Sequence, residues 1–425
     1  MNWLLNNIKD FKIENTIYCS ILLCLFTLPL PFIFNNIALI LLILSVLVNY
    51  KHLKFRFNIS LLFPILFFFI GAISVIWSKN SEESIKALSK IISLLIIPII
   101  FMFISPFTNQ QIRKLCYLFS YSIAIFMLFC LANSFFKFIN DSQPNWFLYH
   151  NLVGIKVNAI YASVFVSFSF LSLISKKSKQ WYDFVILLIL FVSLILLSSK
   201  NLILTTLLIS VIYLFNNFSK LNKRNLLIIL SLGIVIMIFA GNYMFSRFYV
   251  ELEDTKENTV IEEGVINVSL HNALYQEKFD ENYYFSGTAI RVYQYRLFKE
   301  FLEEDHIFWK GFGLNAAQNK IKEKQIERNL NDYFGELNFH NQYLQTFAEL
   351  GFFGFCFLLC CVFINLYKAI KCKDFIHLSF ALITISFFVT ESALNRQRGI
   401  MFFILLYCLF NTSKSHSHRL SEQEQ

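Results

Sequence analysis

Apolar stretches of helix length recur along most of the chain, separated by short polar segments. They fall at 16–34, 36–50, 59–77, 85–104, 113–138, 152–174, 181–199, 201–217, 225–243, 349–367, 375–391 and 398–411, each near the ~20 residues that cross a bilayer core as a helix. The pattern predicts about twelve transmembrane helices. The first run holds Pro29 and Pro31 and has no small-residue cleavage site after it, so it reads as a retained span rather than a cleaved leader. The long departure is the hydrophilic stretch after span nine. Its early part, 251–282, is acidic and without periodicity and is expected to be mobile. Over 288–305, Ile290, Tyr293, Leu297, Phe298, Phe301 and Leu302 recur at helical spacing, which predicts an amphipathic helix lying on the membrane or on the bundle. The turn Lys310-Gly311-Phe312-Gly313 ends that unit. A charged helix is expected over 316–330, and another over 342–350 that stops or kinks at Gly351. The chain thus divides into spans one to nine (1–243), a loop (244–348), spans ten to twelve (349–411) and a tail (412–425), with no internal repeat. The fold class is an all-α polytopic membrane protein with one long, partly helical loop.

Composition narrows the class further. With 56% apolar and only 15% charged residues, a soluble enzyme, a disordered chain and a disulfide scaffold are excluded. The net charge of +9 suggests nucleic acid until it is mapped. Residues 244–341 hold 11 Lys/Arg against 17 Asp/Glu, so the basic excess lies between the spans and reports topology, not nucleic acid. Lys9 and Lys12, Lys51, Lys54 and Arg56, Arg113 and Lys114, Lys176, Lys177 and Lys179, Lys220, Lys223 and Arg224, Lys368, Lys371 and Lys373, and Lys414 and Arg419 fall in every second segment between spans and so on one side of the membrane. Both termini are therefore expected in the cytoplasm and the long loop outside. The nine cysteines lack metal-ligand spacing and read as small apolar side chains.

Ionisable residues at the outer ends of spans are the informative ones, because desolvated charge is costly. Lys200, in Ser198-Ser199-Lys200-Asn201, is either a snorkelling loop lysine or a cation aimed into a cavity. Arg291 lies early in the amphipathic helix, where a cation opposes the helix dipole; it is a solvated arginine or a ligand-binding one. His340, next to Asn341 at a helix start, is a capping histidine or a general base. Glu391 and Arg396 are expected to pair with each other across a tight loop. No HExxH, CxxC pair, Walker loop or GxSxG is present.

The run from Phe339-His340-Asn341-Gln342 through Leu350-Gly351-Phe352-Phe353-Gly354 resembles the signature of the bacterial O-antigen ligase and polymerase superfamily. Ser286-Gly287-Thr288-Ala289-Ile290-Arg291, followed by Lys310-Gly311-Phe312-Gly313, resembles the same family's arginine-bearing helix and Gly-x-Gly turn. The resemblance implies a GT-C-like, metal-independent glycosyltransferase of the inner membrane with no cofactor. Its donor would be an undecaprenyl-diphosphate-linked glycan, its acceptor a lipid A-core or growing glycan, and its active site would face the periplasm among membrane lipids.

Carried over by position, Lys200 and Arg291 would bind the donor diphosphate, and Arg291 and His340 would be catalytic. The family pattern has arginine where this chain has Lys200, and lysine cannot make the bidentate phosphate contact. Ser199, Thr288, Tyr293, Tyr295, Asn341 and Gln342 are candidate substrate contacts. A ligase is favoured over a polymerase because there is one dominant outer loop. A protein O-oligosaccharyltransferase of the same superfamily is a further alternative. A transporter of polysaccharide or lipid-linked sugar would predict repeated halves and charge at mid-membrane, and charge within the apolar runs is sparse (Lys86, Lys90, Lys156).

Overall fold

A helix apolar on every side has to be surrounded by protein or lipid, and two such helices form the centre of this molecule. Ala159–Ile174 is buried along nearly its whole length, and Gln397–Asn411 is buried from Arg398 onward. The computed structural model describes residues 15–154, 157–217, 260–262 and 264–413. Within them the helices, in chain order, begin with α1 (Asn15–Phe26), α2 (Phe32–Val48), α3 (Ile59–Ser74), α4 (Ser81–Ile91) and α5 (Ser93–Phe103). Next come α6 (Asn109–Asp141), α7 (Tyr149–Val153), α8 (Ala159–Ile174), α9 (Trp181–Leu196) and α10 (Lys200–Asn217). The long segment carries α11 (Leu270–Tyr275), α12 (Gly287–Glu304), α13 (Ala317–Glu327) and α14 (Asp332–Gly335). The chain returns to the bundle through α15 (Gln342–Cys372), α16 (Phe375–Thr390) and α17 (Gln397–Asn411).

The protein is a mostly helical polytopic membrane protein. Among the described residues, Ser81–Phe103, α6 and α15 are long and apolar enough to cross a membrane, and eight shorter apolar helices accompany them. The expected span at 225–243 lies outside the described residues, as do Lys9, Lys12, Lys156, Lys220, Lys223, Arg224, Lys414 and Arg419. The first two apolar runs divide earlier than expected: α1 stops at Phe26 and α2 starts at Phe32, because Pro29 and Pro31 cannot continue a helix. Lys86 is exposed on α4 and paired with Glu82 and Glu83, so it is not a buried charge.

The long segment has its own core, in which Phe279, Phe285, Tyr293, Leu297, Phe301 and Phe339 bury together. The apolar face of α12 packs into this core, which satisfies it without a membrane surface. Two expectations are corrected here. Residues 264–282 are not a loose tether: Val268, Ala273 and Phe279 are part of the core. The fold is also not purely helical, because β1 (Val260–Glu262), β2 (Val265–Asn267) and β3 (Tyr283–Tyr284) form a small sheet, antiparallel between β1 and β2 and parallel between β2 and β3. Strands of two or three residues are too short to show an alternating pattern.

One ion-pair network braces this unit. Arg296 Nε and Arg328 Nη2 both donate to Glu300 Oε1, at 2.9 and 2.6 Å, while Arg296 Nη1 donates to the carbonyl of Gln276 at 2.6 Å. Burial alone would raise the Glu300 carboxyl; the hydrogen bonds and charges of Arg328 and Arg296 outweigh it and hold Glu300 below the usual carboxylate range.

The joint between this unit and the bundle is a break in α15. Gly351, at φ 63° and ψ −161°, interrupts the helix, which leaves carbonyls before it and an amide after it without helical partners. The chain around the Gly-x-Gly turn supplies them: Phe312 N donates to Ala348 O and Gly313 N to Glu349 O, both at 2.9 Å, and Phe352 N donates to Phe308 O at 2.7 Å. The backbones cross so closely that a Cβ on Gly311 would strike the Glu349 backbone, and one on Gly351 would strike that of Trp309. Leu314 then inserts into the bundle core, its N–H donating to Ser74 Oγ at 3.0 Å.

Two measurements check this picture. Gly264 has a positive φ of 87° but nothing within 4 Å of an added Cβ, so Gly264→Ala should cost only about 1–2 kcal/mol. Gly311→Ala should lower the thermal unfolding midpoint in detergent at least twice as far. Glu300→Gln should destabilise the chain by about 1–3 kcal/mol at neutral pH. A carboxylate held low stabilises the fold above its unfolded pKa and loses that contribution as pH falls through the folded one, so the gap to wild type should close below about pH 4.

Candidate functional site

The last turn of α16 is where the expected site residues meet. Its final carbonyls have no helical partners and carry the negative end of the helix dipole. Arg291 approaches from α12, whose N-cap is Ser286, accepting from Ala289 N. Its Nη1 donates back to Gly287 O at 2.8 Å and its Nη2 reaches Thr390 O at 3.5 Å, while Nε is buried without a hydrogen-bond partner. The start of α10 is tied to the same turn. Asn201 Nδ2 donates to Ser386 O at 2.7 Å and to Thr390 Oγ1 at 3.0 Å, and Ser386 Oγ donates to Asn201 Oδ1 at 2.8 Å. Lys200, half-buried, is the adjoining residue and opens α10.

His340 comes to this turn from the third direction. Its backbone sits at φ 44°, in the left-handed region, which costs a non-glycine residue roughly 1–2 kcal/mol. Asn338 Oδ1 holds that conformation by accepting from His340 N at 2.9 Å. The imidazole Nδ1 lies 3.6 Å from Glu391 Oε2. Glu391 is thus placed differently from expectation: its carboxylate faces the His340 imidazole, and no pair with Arg396 occurs among the described residues. The reason is the short turn at Ala393–Asn395, which buries Glu391 and leaves Arg396 at the surface.

That turn is clamped by the first part of α15. Gln342 Oε1 accepts from Leu394 N at 2.6 Å, Gln345 Oε1 accepts from Ser392 Oγ at 3.4 Å, and Glu349 Oε1 accepts from Asn395 Nδ2 at 3.4 Å. Gln345 Oε1 also accepts from Phe339 N at 3.1 Å, joining the turn to the residue before His340.

Residues 185–359 match the family model described as O-Antigen ligase. That match supports kinship with the O-antigen ligase superfamily over this stretch. No curated protein matches it. The matched stretch contains Lys200, Arg291 and His340, together with Gly311, Gly313 and Gly351 of the joint. The match supports ligase- or polymerase-type function.

Within the matched stretch the other expected contact residues have varied positions. Thr288 is half-buried in the first turn of α12, and Tyr295 is exposed one turn beyond Arg291 on the same helix face. Ser199 is half-buried immediately before α10. Tyr293 is only 3% exposed, its ring packed on Phe279 and Phe285 in the core of the long segment. Asn341 Oδ1 caps α15 by accepting from Tyr343 N and Leu344 N, and buried Gln342 is bonded to Leu394 and Thr346. The tasks observed for these last three are architectural. Sequence reasoning missed Gln345 and the partner of Glu391; the spacing of Gln342, Gln345 and Glu349 along one helix face was the available signal. Among the described residues no group of three or more His, Cys, Asp or Glu stands together where a metal ion would sit.

Gln345 holds both the turn and the residue before His340, so Gln345→Ala should strand several buried polar groups, each costing about 1–3 kcal/mol. The expected result is a thermal midpoint lowered more by Gln345→Ala than by Tyr295→Ala, which removes an exposed side chain.

Proposed function

We propose that the chain moves a glycan from undecaprenyl diphosphate to a hydroxyl of a lipid A-core acceptor at the periplasmic face of the inner membrane. The observation that carries this reading is the convergence of Arg291, the Lys200 end of α10 and His340, all within the stretch that matches the O-antigen ligase family, on the last turn of α16. The alternation of basic segments supports cytoplasmic termini, twelve spans and a site facing outward.

In this mechanism the acceptor oxygen attacks the anomeric carbon while the bond from that carbon to the diphosphate oxygen breaks. The bonding pair leaves with undecaprenyl diphosphate, and the acceptor proton passes to His340. Charge grows on the leaving diphosphate as the bond breaks, and Arg291 and Lys200 stabilise it where it develops. Lys200 contributes a point charge, so the two-pronged contact falls to Arg291. No metal or cofactor is required by these steps. Thr288, Tyr295 and Ser199 line the approach and contact glycan or phosphate. Direct displacement inverts the anomeric centre; a product linkage with retained configuration would overturn this mechanism.

The test is surface-glycan profiling of a null strain complemented with wild type, His340→Ala or Arg291→Ala, with membrane levels measured in parallel. Loss of a positioned base costs about 10²–10⁴-fold in rate, so long glycan should disappear from lipid A and accumulate on undecaprenyl diphosphate. Single repeat units left on the core would assign the chain to polymerisation instead. An unchanged profile from normally produced variants would remove the catalytic reading.

A further inference from the structure

Glu391 lies outside the stretch that matches the O-antigen ligase model. It is nevertheless 5% exposed, at the end of a helix whose dipole disfavours a second negative charge. A buried carboxylate is costly without a partner, and the residue expected to pair with it, Arg396, is at the surface. We infer that Glu391 is a positioning residue that orients the His340 imidazole and stabilises its protonated form during glycan transfer. This inference rests on the reading of His340 as the base.

Three features of the geometry carry it. The separation of 3.6 Å between Glu391 Oε2 and His340 Nδ1 is longer than a hydrogen bond, yet catalytic contacts are often long before substrate arrives. Both sides are held by the fold rather than by chance: Asn338 fixes the His340 backbone, and Gln342, Gln345 and Glu349 hold the turn that follows Glu391. The pairing also selects a ring nitrogen. With Nδ1–H directed at the carboxylate, Nε2 is left to accept the acceptor hydroxyl's proton. When that proton arrives the ring becomes an imidazolium beside a carboxylate, and the pair goes from one negative charge to none. The proton later leaves to water.

Other groups near Glu391 have contacts of their own. Arg291 reaches the neighbouring Thr390 carbonyl, and Tyr161 of α8 packs its ring on Phe387. Arg398 donates to the carbonyls of Leu28 and Leu30.

The experiment uses the full-length chain in detergent with undecaprenyl-diphosphate-linked glycan and a lipid A-core acceptor, following turnover against donor concentration. Glu391→Gln should lower kcat about 10–100-fold at neutral pH, with the donor KM changed less than about threefold. Glu391→Asp, which keeps the charge, should recover part of kcat. Adding Glu391→Gln to His340→Ala should cost little more than His340→Ala alone. A full additional loss in the double variant, or a Glu391→Asp enzyme as slow as Glu391→Gln, would each overturn the inference. Wild-type turnover by His340→Ala would instead overturn the reading it rests on.

Discussion

The structure depends on the satisfaction of a broken helix. At Gly351 the α15 ladder stops, and the polar backbone groups it frees lie where two cores meet, Ala348 in one and Leu350 in the other. Left unpaired, each would cost about 1–3 kcal/mol, and there is little water there to take them up. The stretch from Phe308 to Gly313 supplies a carbonyl and two amides to this break, and only glycine at 311 and 351 allows the backbones close enough to do so. The two glycine-containing motifs, some forty residues apart in sequence, are therefore two halves of one joint. The joint sets the direction in which 342–350 leaves the bundle, and His340 stands at the far end of that short helix.

The same short helix is a ruler with two edges. Its apolar edge, through Ala348, belongs to the core of the long segment. Its polar edge, Gln342, Gln345 and Glu349, grips the turn after α16. Because both edges belong to one rigid element, the distance between the arginine-bearing helix and the end of α16 is fixed by packing rather than by the charges in the site. On the proposed function, cations gathered for an anionic donor would repel one another before it binds. Holding them in place with apolar and neutral hydrogen-bonded contacts keeps the site assembled without spending the charges on each other.

Much of this was legible in the chain, and the parts that were not share a physical cause. Long apolar runs announce helices because twenty residues average out local noise, and the expected α12 differs from the observed one by a residue at each end. The stop at Gly351 and the turn at Gly311–Gly313 were legible because glycine is the residue that tolerates a positive φ. The β1–β3 sheet was not, since two or three residues carry no period. Nor was the partner of Glu391: Arg396 is five positions away and His340 is fifty-one, and nothing local shows that a 3₁₀ turn separates the near pair while a clamp joins the far one. Tyr293 and Gln342 were read as polar handles for a ligand, whereas an aromatic ring or an amide is equally suited to a core or a clamp. Choosing between these uses requires knowledge of which face is buried.

The balance of charge at the end of α16 decides how the site can be both receptive and reactive. A purely cationic cavity would hold diphosphate equally well before and after transfer, and uniform binding does not accelerate the step. The arrangement around Thr390 is not purely cationic: Arg291 faces a carbonyl at the negative end of a helix, and His340 faces a carboxylate. On the proposed mechanism, His340 becomes cationic only as the acceptor proton leaves, at the moment when negative charge builds on the departing diphosphate. The site's positive charge would then be greatest in the transition state and smaller in the resting enzyme. That timing is a source of differential stabilisation that a second fixed arginine in place of Lys200 would not supply, because its charge would be the same throughout the reaction.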